Sequence, residues 1–422
     1  KRLWFTLGAL IVYRLGTYIP LPGIDPVILQ DIFRQQAGGI LGMFNMFAGG
    51  ALGRMTIFAL NIMPYISAAI IMQLMTSISP SMNQLKKEGA TGQKKINQYT
   101  RYLTVLIATM QAYGISVGIE GMQGSLGSAV VAPGAFFRFT AVITLVGGTM
   151  FLMWLGEQIT ARGVGNGISL IIFAGIVAEL PSALAGTLEL GRTGALSSGI
   201  IIAILIMAIG VIYAIVFVER AQRRLVVQYP KRQQGNKMYG GESSHLPLKI
   251  NTSGVIPLIF ASSLLLMPTT VISFMANSGP EWLTTVSSLL GRGQPSYLLI
   301  YSALIAFFAF FYTAVVFNPE ETADNLKKHG GFIPGIRPGK NTAEYLEYVT
   351  TRLTVVGASY LVAVALLPEI LISQWSVPFF FGGTSLLIVV TVTMDTVAQV
   401  QSHMLAHQYE GLIKKSRLKG RR

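Results

Sequence analysis

Few residues of this 422-residue chain have the types and spacing that catalysis, metal binding or nucleotide binding requires. Arg162–Gly167 reads RGVGNG and suggests a phosphate-binding loop, but its glycine spacing is GxGxG and no Walker lysine follows. We interpret this stretch as a tight turn between two apolar segments. No other stretch matches a phosphate-binding loop, so work done by the protein would draw its energy from a partner or from the membrane potential.

Candidate metal and nucleophile residues fail on spacing as well. His403 and His407 share one face of a predicted tail helix, with Glu410 nearby. A zinc-protease helix needs Glu directly after the first His, where this chain has Met404. Ser262–Ser263 lacks a GxSxG elbow, and no histidine lies within the apolar segments. The sequence therefore predicts no catalytic residue, no metal site and no cofactor, and a solvated helix face for the paired histidines.

Composition indicates a membrane protein. Only 12% of residues are charged and 52% are hydrophobic, with mean hydropathy +0.56 and no cysteine, whereas soluble domains are roughly 25% charged. The chain enters its first apolar span directly after Lys1–Arg2, without a small-residue cleavage site, so we expect no cleavable signal peptide. We predict ten apolar spans, at about 3–19, 56–78, 103–119, 135–156, 167–185, 198–218, 253–275, 296–317, 352–371 and 378–400.

The basic residues predict the orientation of these spans. Of 32 lysines and arginines, 26 fall on the side of the chain termini and 4 in the opposite loops. By the positive-inside rule both termini are cytoplasmic. The sequence therefore predicts a multi-pass membrane protein with both termini on the cytoplasmic side.

The stretch Ile40–Ile78 is too long for one crossing and is interrupted. Gly49–Gly50 and Pro64 each weaken or kink a helix. We therefore divide it into a re-entrant segment, Met43–Arg54, and a spanning helix, Thr56–Ile78. Irregular backbone at membrane depth is tolerated only within protein or beside a water-filled cavity, so this stretch predicts a cavity.

Two predicted cytoplasmic loops are long and internally organised. Glu219–Asn251 alternates apolar and basic residues, which predicts a β-like finger. In Phe317–Arg352, Asn318 and Pro319 predict a helix start, and a stiff Pro-Gly tip follows at Ile333–Gly339. Ordinary solvated loops would explain their charge, but their length and structure favour docking of a large partner.

Entry into the ninth span is predicted from a capping box. Asn341 as cap and Glu344 three residues later have the required spacing.

The Gly-rich linker Gly186–Gly199 lies midway along the order of spans, between the fifth and the sixth. The span count then predicts two five-span halves of opposite orientation, residues 1–190 and 198–400, followed by a basic cytoplasmic tail, residues 401–422. The expected fold class is an all-α polytopic membrane protein. Gln73 and Asn251 are uncharged polar residues in or beside spans, for which ordinary helix–helix hydrogen bonding and a separable polar latch both stay open.

Several motifs closely resemble the bacterial SecY family, the channel subunits of the protein-conducting translocon. They include MFNMFAGGAL, LKKEGATGQKKINQYTRY, FVERAQRRLVVQYPKRQQG, FNPEETADNLKKHGGFIPGIRPG and PFFFGGTSLLIVV. The resemblance implies an hourglass pore between two inverted five-helix halves, sealed by a re-entrant plug. It also implies a lateral gate between spans two and seven, where Gln73 and Asn251 lie and where signal peptides and membrane-protein helices pass into the lipid.

The same resemblance implies site residues and partners. The implied plug is Met43, Phe44, Asn45, Met46, Phe47, Ala48, Gly49, Gly50, Ala51, Leu52, Gly53 and Arg54. The implied pore ring is Ile62, Ile66, Ile168, Ile172, Ile259 and Ile388. The implied docking residues are Arg223, Arg224, Lys231, Arg232 and Arg337. The implied partners are SecE, SecG, the SecA motor ATPase, the ribosome with its RNA and nascent chains, signal peptides and membrane lipids. A basic pair familiar in the family reads Asn236–Lys237 here, which softens the expected ribosomal contact.

Two other classes of protein compete with this interpretation. A secondary transporter of a small solute with inverted repeats would carry midplane ionisable residues and short loops, and the sequence has neither. A scaffold without a conduit would leave the interrupted second span unexplained.

Overall fold

The computed structural model describes residues 1–35, 45, 49–121, 123–124, 127–194, 197–239, 241–275, 280–290, 294–375 and 383–419. Most of these residues are helical. The helices are α1 Arg2–Gly16, α2 Pro26–Gln35, α3 Ala51–Arg54, α4 Met63–Ile78, α5 Pro80–Lys87, α6 Ala90–Gly121, α7 Ala135–Arg162, α8 Gly167–Thr193, α9 Ser198–Arg220, α10 Ile256–Met275, α11 Glu281–Leu289, α12 Pro295–Val316, α13 Pro319–Lys328, α14 Lys340–Trp375 and α15 Gly383–Lys419. The strands are β1 Gln123–Gly124, β2 Gly127–Ser128, β3 Gln222–Gln228, β4 Arg232–Gln234, β5 Lys237–Tyr239 and β6 Ser243–Lys249.

The helices confirm a multi-pass, all-α membrane protein. Within the described residues, seven helices are long and apolar enough to cross a membrane, and α4 and the first part of α10 are shorter apolar helices. Every predicted span overlaps a helix. Helix α9 is the most apolar candidate span and only 6% of its apolar window is buried, so its surface suits lipid.

The second predicted span differs from expectation. Helix α4 begins at Met63 rather than at Thr56, so Pro64 starts the helix instead of kinking it. Proline suits the first helical turn, because its missing N–H has no partner there and its φ is already helical. The preceding residues form turns that include a positive φ of 52° at Asn61.

Hydrogen bonds hold this irregular segment beside α1. Leu21 N donates to Met55 O (3.1 Å) and Ile57 N donates to Ile19 O (3.1 Å). Glycines let the helices approach it closely: a Cβ on Gly16 would collide with the Phe58 ring, and one on Gly148 with the Ile57 carbonyl. Irregular backbone is thereby buried in protein, as membrane depth requires.

The helices of the two chain halves meet along two lines. Helix α10 packs against α4 and α6, and α8 packs against α9 and α15. Within each half, α6 packs on α4 and α7, while α12 packs on α10 and α14. One continuous apolar core includes residues of both halves.

The predicted finger is a two-part β-hairpin. Strands β3 and β6 are antiparallel from Gln222↔Lys249 to Gln228↔Ser243, and β4 pairs with β5 beyond them. The burial of alternate residues in β3, Leu225 and Val227, gives the hairpin one apolar face.

In the second long loop, one of the two predicted helix starts is correct. The Asn318 side chain accepts hydrogen bonds from Glu320 N (3.2 Å) and Glu321 N (3.4 Å), so it caps α13 as predicted. The predicted cap at Asn341 is wrong, because α14 already begins at Lys340. Gly339 takes that role with a φ of 105°, and its carbonyl accepts the first helical bond, from Ala343 N (3.1 Å).

Candidate functional site

The isoleucines of the predicted ring lie on α4, α8, α10 and α15, except Ile62, which directly precedes α4. Five are buried, namely Ile62, Ile66, Ile172, Ile259 and Ile388, while Ile168 is half-buried and packs against the same cluster. Ile66 N donates to Ile62 O (3.1 Å), so this pair occupies successive turns although Ile62 precedes α4. All six belong to or pack on the same apolar cluster, in which α10 contacts α4 and α8 contacts α15. Their closure into a ring stays a prediction.

The described part of the predicted plug is a compact turn followed by the short helix α3. Gly49 and Gly50 have φ values of 67° and 81°, which favour glycine. Asn45 closes the turn, because its carbonyl accepts from Gly50 N (2.9 Å) and its side chain accepts from Gly53 N (2.7 Å). Ala51 and Leu52 are fully buried. The remaining predicted plug residues, Met43, Phe44, Met46, Phe47 and Ala48, lie outside the described residues.

The structure does not join the two predicted gate residues. Asn251 Nδ2 donates to Glu219 Oε1 (2.9 Å) at the end of α9, and Ser253 Oγ donates to Asn251 Oδ1 (3.1 Å). Gln73 Oε1 is buried and has no hydrogen-bond partner among the described residues. Asn251 therefore ties the start of α10 to α9, within one half of the chain.

The two predicted gate helices nevertheless touch directly. Helix α10 packs along α4, and Ser263 Oγ contacts Met63 Sδ at 3.5 Å. Ser262 instead joins a hydroxyl chain, Ser262 Oγ to Tyr301 Oη (3.1 Å) and Tyr301 Oη to Thr384 Oγ1 (2.6 Å), which links α10, α12 and α15. Both serines thus make contacts between helices.

The RGVGNG stretch is the predicted turn, and its amides are already paired. Val164 N donates to Thr6 Oγ1 (3.0 Å), Gly165 N to Gln399 Oε1 (2.8 Å) and Gly167 N to Thr160 Oγ1 (2.9 Å). These amides are satisfied by α1, α7 and α15. The turn therefore fastens the predicted cytoplasmic ends of three spans.

Among the described residues, the two tail histidines belong to no metal-binding cluster. His403 and His407 are exposed on α15, in its extension beyond the membrane span. The described residues contain no group of three or more His, Cys, Asp or Glu side chains that could hold a metal ion.

The two long loops form one folded unit, a relationship that the sequence reasoning missed. The hairpin and the second loop share a separate apolar cluster, in which Leu225, Val227 and Leu248 pack with Ile333 and residues of α13 and α14. The alternation in β3 was a visible signal of a buried face, but it did not say what covers that face. We call residues 219–251 together with residues 317–352 the docking unit.

Basic side chains of the docking unit project outward. Arg223, Arg224 and Lys231 are exposed on the hairpin, and the side chain of Arg232 lies outside the described set. Arg337 is exposed at the tip of the second loop. That tip is held at both ends, since Ile333 and Ile336 pack on the apolar cluster and Thr342 Oγ1 donates to Arg337 O (2.9 Å). The charge of Arg337 is thus presented on a fixed support.

Comparison with known proteins places these features in one family. Residues 56–397 match the SecY family model. The chain is 57% identical over 421 residues to the protein translocase subunit SecY of Escherichia coli K12, covering 100% of this chain and 95% of that protein. Its fold resembles that of a solved protein-conducting channel, with TM-score 0.69 at 17% identity over 96% of this chain and 93% of that one. It also resembles Sec61 from the canine ribosome–channel complex of the endoplasmic reticulum, with TM-score 0.65 at 17% identity over 96% and 93% of the two chains.

Proposed function

This chain belongs to the SecY family, and we propose that it is the channel of a Sec translocase that passes unfolded secretory proteins across the bacterial plasma membrane. In the same channel, membrane-protein helices leave sideways into lipid. The observation that carries the proposal is the full-length 57% identity to a translocase SecY subunit. The buried, interrupted stretch before α4 adds a physical argument, because such backbone needs a protein-lined interior.

The physical task explains the chemistry of the core. An extended polypeptide cannot enter lipid with unpaired backbone groups, so it needs an aqueous path. A permanently open path wide enough for a polypeptide would also leak ions in the resting state. A narrow apolar constriction stays dry when empty and still yields to a chain of any sequence. The convergent isoleucines supply apolar side chains of this kind.

We assign the two sides of the pore to residues 1–190 and 198–400, with residues 401–422 as a cytoplasmic tail. The contact of α8 with α9 and α15 serves as the hinge, and the contact of α10 with α4 and α6 serves as the lateral gate. On this proposal Gln73 lines the gate and Asn251 anchors its moving helix. Gln73 Oε1, which has no partner among the described residues, favours a gate that gains a polar partner when a signal peptide enters.

The pore ring has its own test. Replacing Ile62, Ile66 and Ile259 together by serine should wet the constriction, so that the resting channel passes ions in planar bilayers without precursor. Serine at Ile201 and Ile202 of α9 is the matched control and should leave the channel silent. A silent ring variant would place the seal elsewhere.

The docking unit is the proposed landing site for SecA and for the ribosome. Its exposed arginines and lysine suit acidic protein surfaces or ribosomal RNA phosphates. SecE and SecG are the proposed membrane partners, SecE clamping the two halves together. The energy of transport then comes from the motor, the ribosome or the membrane potential, and the channel itself is not an enzyme.

The function is tested by reconstitution. The chain is assembled with SecE and SecG in liposomes, and SecA, ATP and a secretory precursor are added outside. Protease-protected precursor should accumulate only when both ATP and SecA are present. Uptake of a small solute into the liposomes, without protease-protected precursor, would favour the transporter alternative.

A further inference from the structure

Two arginines from different segments donate to one backbone carbonyl within the predicted plug. Arg14, in the last turn of α1, donates from Nη1 to Gly49 O at 2.7 Å. Arg54, the last residue of α3, donates from Nη2 to the same oxygen at 3.2 Å. A carbonyl oxygen has two lone pairs and accepts both bonds. The Gly49 carbonyl is therefore held by two charge-assisted hydrogen bonds.

The same two guanidinium groups also contact Thr17 and Tyr18, just after α1. Arg54 Nε donates to Thr17 O (3.1 Å), and the Arg54 guanidinium carbon lies 4.2 Å from the centre of the Tyr18 ring. Arg14 Nη2 donates to Tyr18 Oη (3.0 Å), and its guanidinium carbon lies 5.0 Å from that ring centre. Charges at this depth need such partners. Each arginine is thus fixed in direction.

Helix α8 closes the arrangement on the other side of the turn. A Cβ on Gly49 would lie 3.0 Å from Gly175 Cα, so the turn is pressed directly against α8. A Cβ on Gly50 would lie 2.7 Å from Glu179 Oε1 and 2.8 Å from Arg54 Nη1. The Glu179 carboxylate therefore lies beside the arginines and offsets part of their positive charge. Glycine suits both positions because their φ values are positive, and at Gly49 a Cβ would also press on the α8 backbone.

We propose that Arg14 is a positioning residue that latches the Gly49–Gly50 turn between the first and fifth spans and so keeps the plug closed. This inference rests on the proposed channel function. The C-terminal end of the plug is fastened independently, because Leu21 N donates to Met55 O (3.1 Å). Loss of the Arg14 bond leaves Gly49 O with only the bond from Arg54, which belongs to the plug itself, so the Gly49–Gly50 turn is held less firmly to α1 while the backbone bond at Met55 stays in place.

A cysteine reporter tests the latch in the assembled complex. The chain has no cysteine, and Leu52 is fully buried, so Leu52→Cys reports any opening of the plug to a membrane-impermeant maleimide from the outer face. Arg14→Gln should raise its labelling rate by about tenfold or more without precursor, as expected for loss of a charge-assisted hydrogen bond. Arg192→Gln is the control, since Arg192 is exposed and pairs only with the neighbouring exposed Glu189 among the described residues. Labelling at the parental rate in Arg14→Gln would overturn the latch.

Two further variants keep the test decisive if Arg14→Gln fails to assemble. Arg14→Lys keeps the charge and one donor to Gly49 O, and should label at an intermediate rate. Gly49→Ala leaves both arginines intact but forces a Cβ against α8, and should label as fast as Arg14→Gln. Unchanged labelling in both would refute the latch. Precursor transport by the parental complex is measured in the same vesicles, so that failure of the latch is told apart from failure of the channel assignment.

Discussion

Gln228 and Phe332 exchange both backbone hydrogen bonds, Gln228 N to Phe332 O at 2.9 Å and Phe332 N to Gln228 O at 3.0 Å. One residue ends strand β3 of the hairpin and the other lies after α13, so this bridge joins the two long loops into the docking unit. Strand β6 leads into α10, and the second loop leads into α14. A partner that binds the docking unit therefore acts on two spanning helices at once.

Breaking this bridge should loosen the docking unit. Phe332→Pro removes the N–H that bonds to Gln228 O, at a cost of about 1 kcal/mol for the lost bond and more if the acceptor stays buried. We expect faster amide hydrogen exchange in β3 and in residues 331–337. Phe332→Ala keeps the backbone bond and serves as the control. Equal exchange in the two variants would mean that side-chain packing alone holds the loops together.

Arg337 should be the most sensitive charge of the docking unit. Ile333 and Ile336 fix the backbone that carries residue 337. A glutamate placed there therefore cannot move away from an acidic partner surface. Arg337→Glu should abolish most SecA-driven precursor transport while assembly with SecE stays normal. Arg192→Glu, an exposed arginine on the opposite side, should transport normally. Full transport by Arg337→Glu would contradict the docking assignment.

The orientation can be checked with single cysteines, because the chain has none. Gln234 lies in β4 at the end of the hairpin, and Gln294 directly precedes α12. Both are exposed. Gln234→Cys should react with impermeant reagents only from the cytoplasm and Gln294→Cys only from outside. Labelling of both from one side would overturn the span count.

Substitution by leucine should lower the stability of the protein at Asn251 but not at Gln73. Asn251→Leu leaves the Glu219 carboxylate without its amide donor and should lower stability by roughly 1–3 kcal/mol. Gln73→Leu removes a buried acceptor that has no partner among the described residues, and should be neutral or slightly stabilising. The measurement is the thermal unfolding midpoint of each purified complex. A loss for Gln73→Leu as large as that for Asn251→Leu would show that its amide is paired in the complex.

Local sequence patterns predict most of the helices and the hairpin. They do not predict which segments contact each other across the fold. Apolar run length located the spans, and the Asn318 cap and the hairpin followed from side-chain type alone. Pro64 was interpreted as a kink because a proline inside an apolar run can either interrupt a helix or begin one, and only packing of the turn before it decides. The convergence of Arg14 and Arg54 on Gly49 joins segments whose approach depends on the whole helix arrangement. The sequence around Arg14 contains no pattern that predicts this contact.

Crosslinking of an arrested secretory precursor tests the channel itself most directly. A photoreactive residue is placed at Ile62, Ile259 or Ile388, whose side chains are buried in the core, and at Ile202 or Ile206, which are 56% and 66% exposed on α9. If the polypeptide passes through the centre of the molecule, the three core positions crosslink to the same stretch of the precursor and the two α9 positions do not. Precursor crosslinks at Ile202 and Ile206 with none at the core positions would contradict the channel.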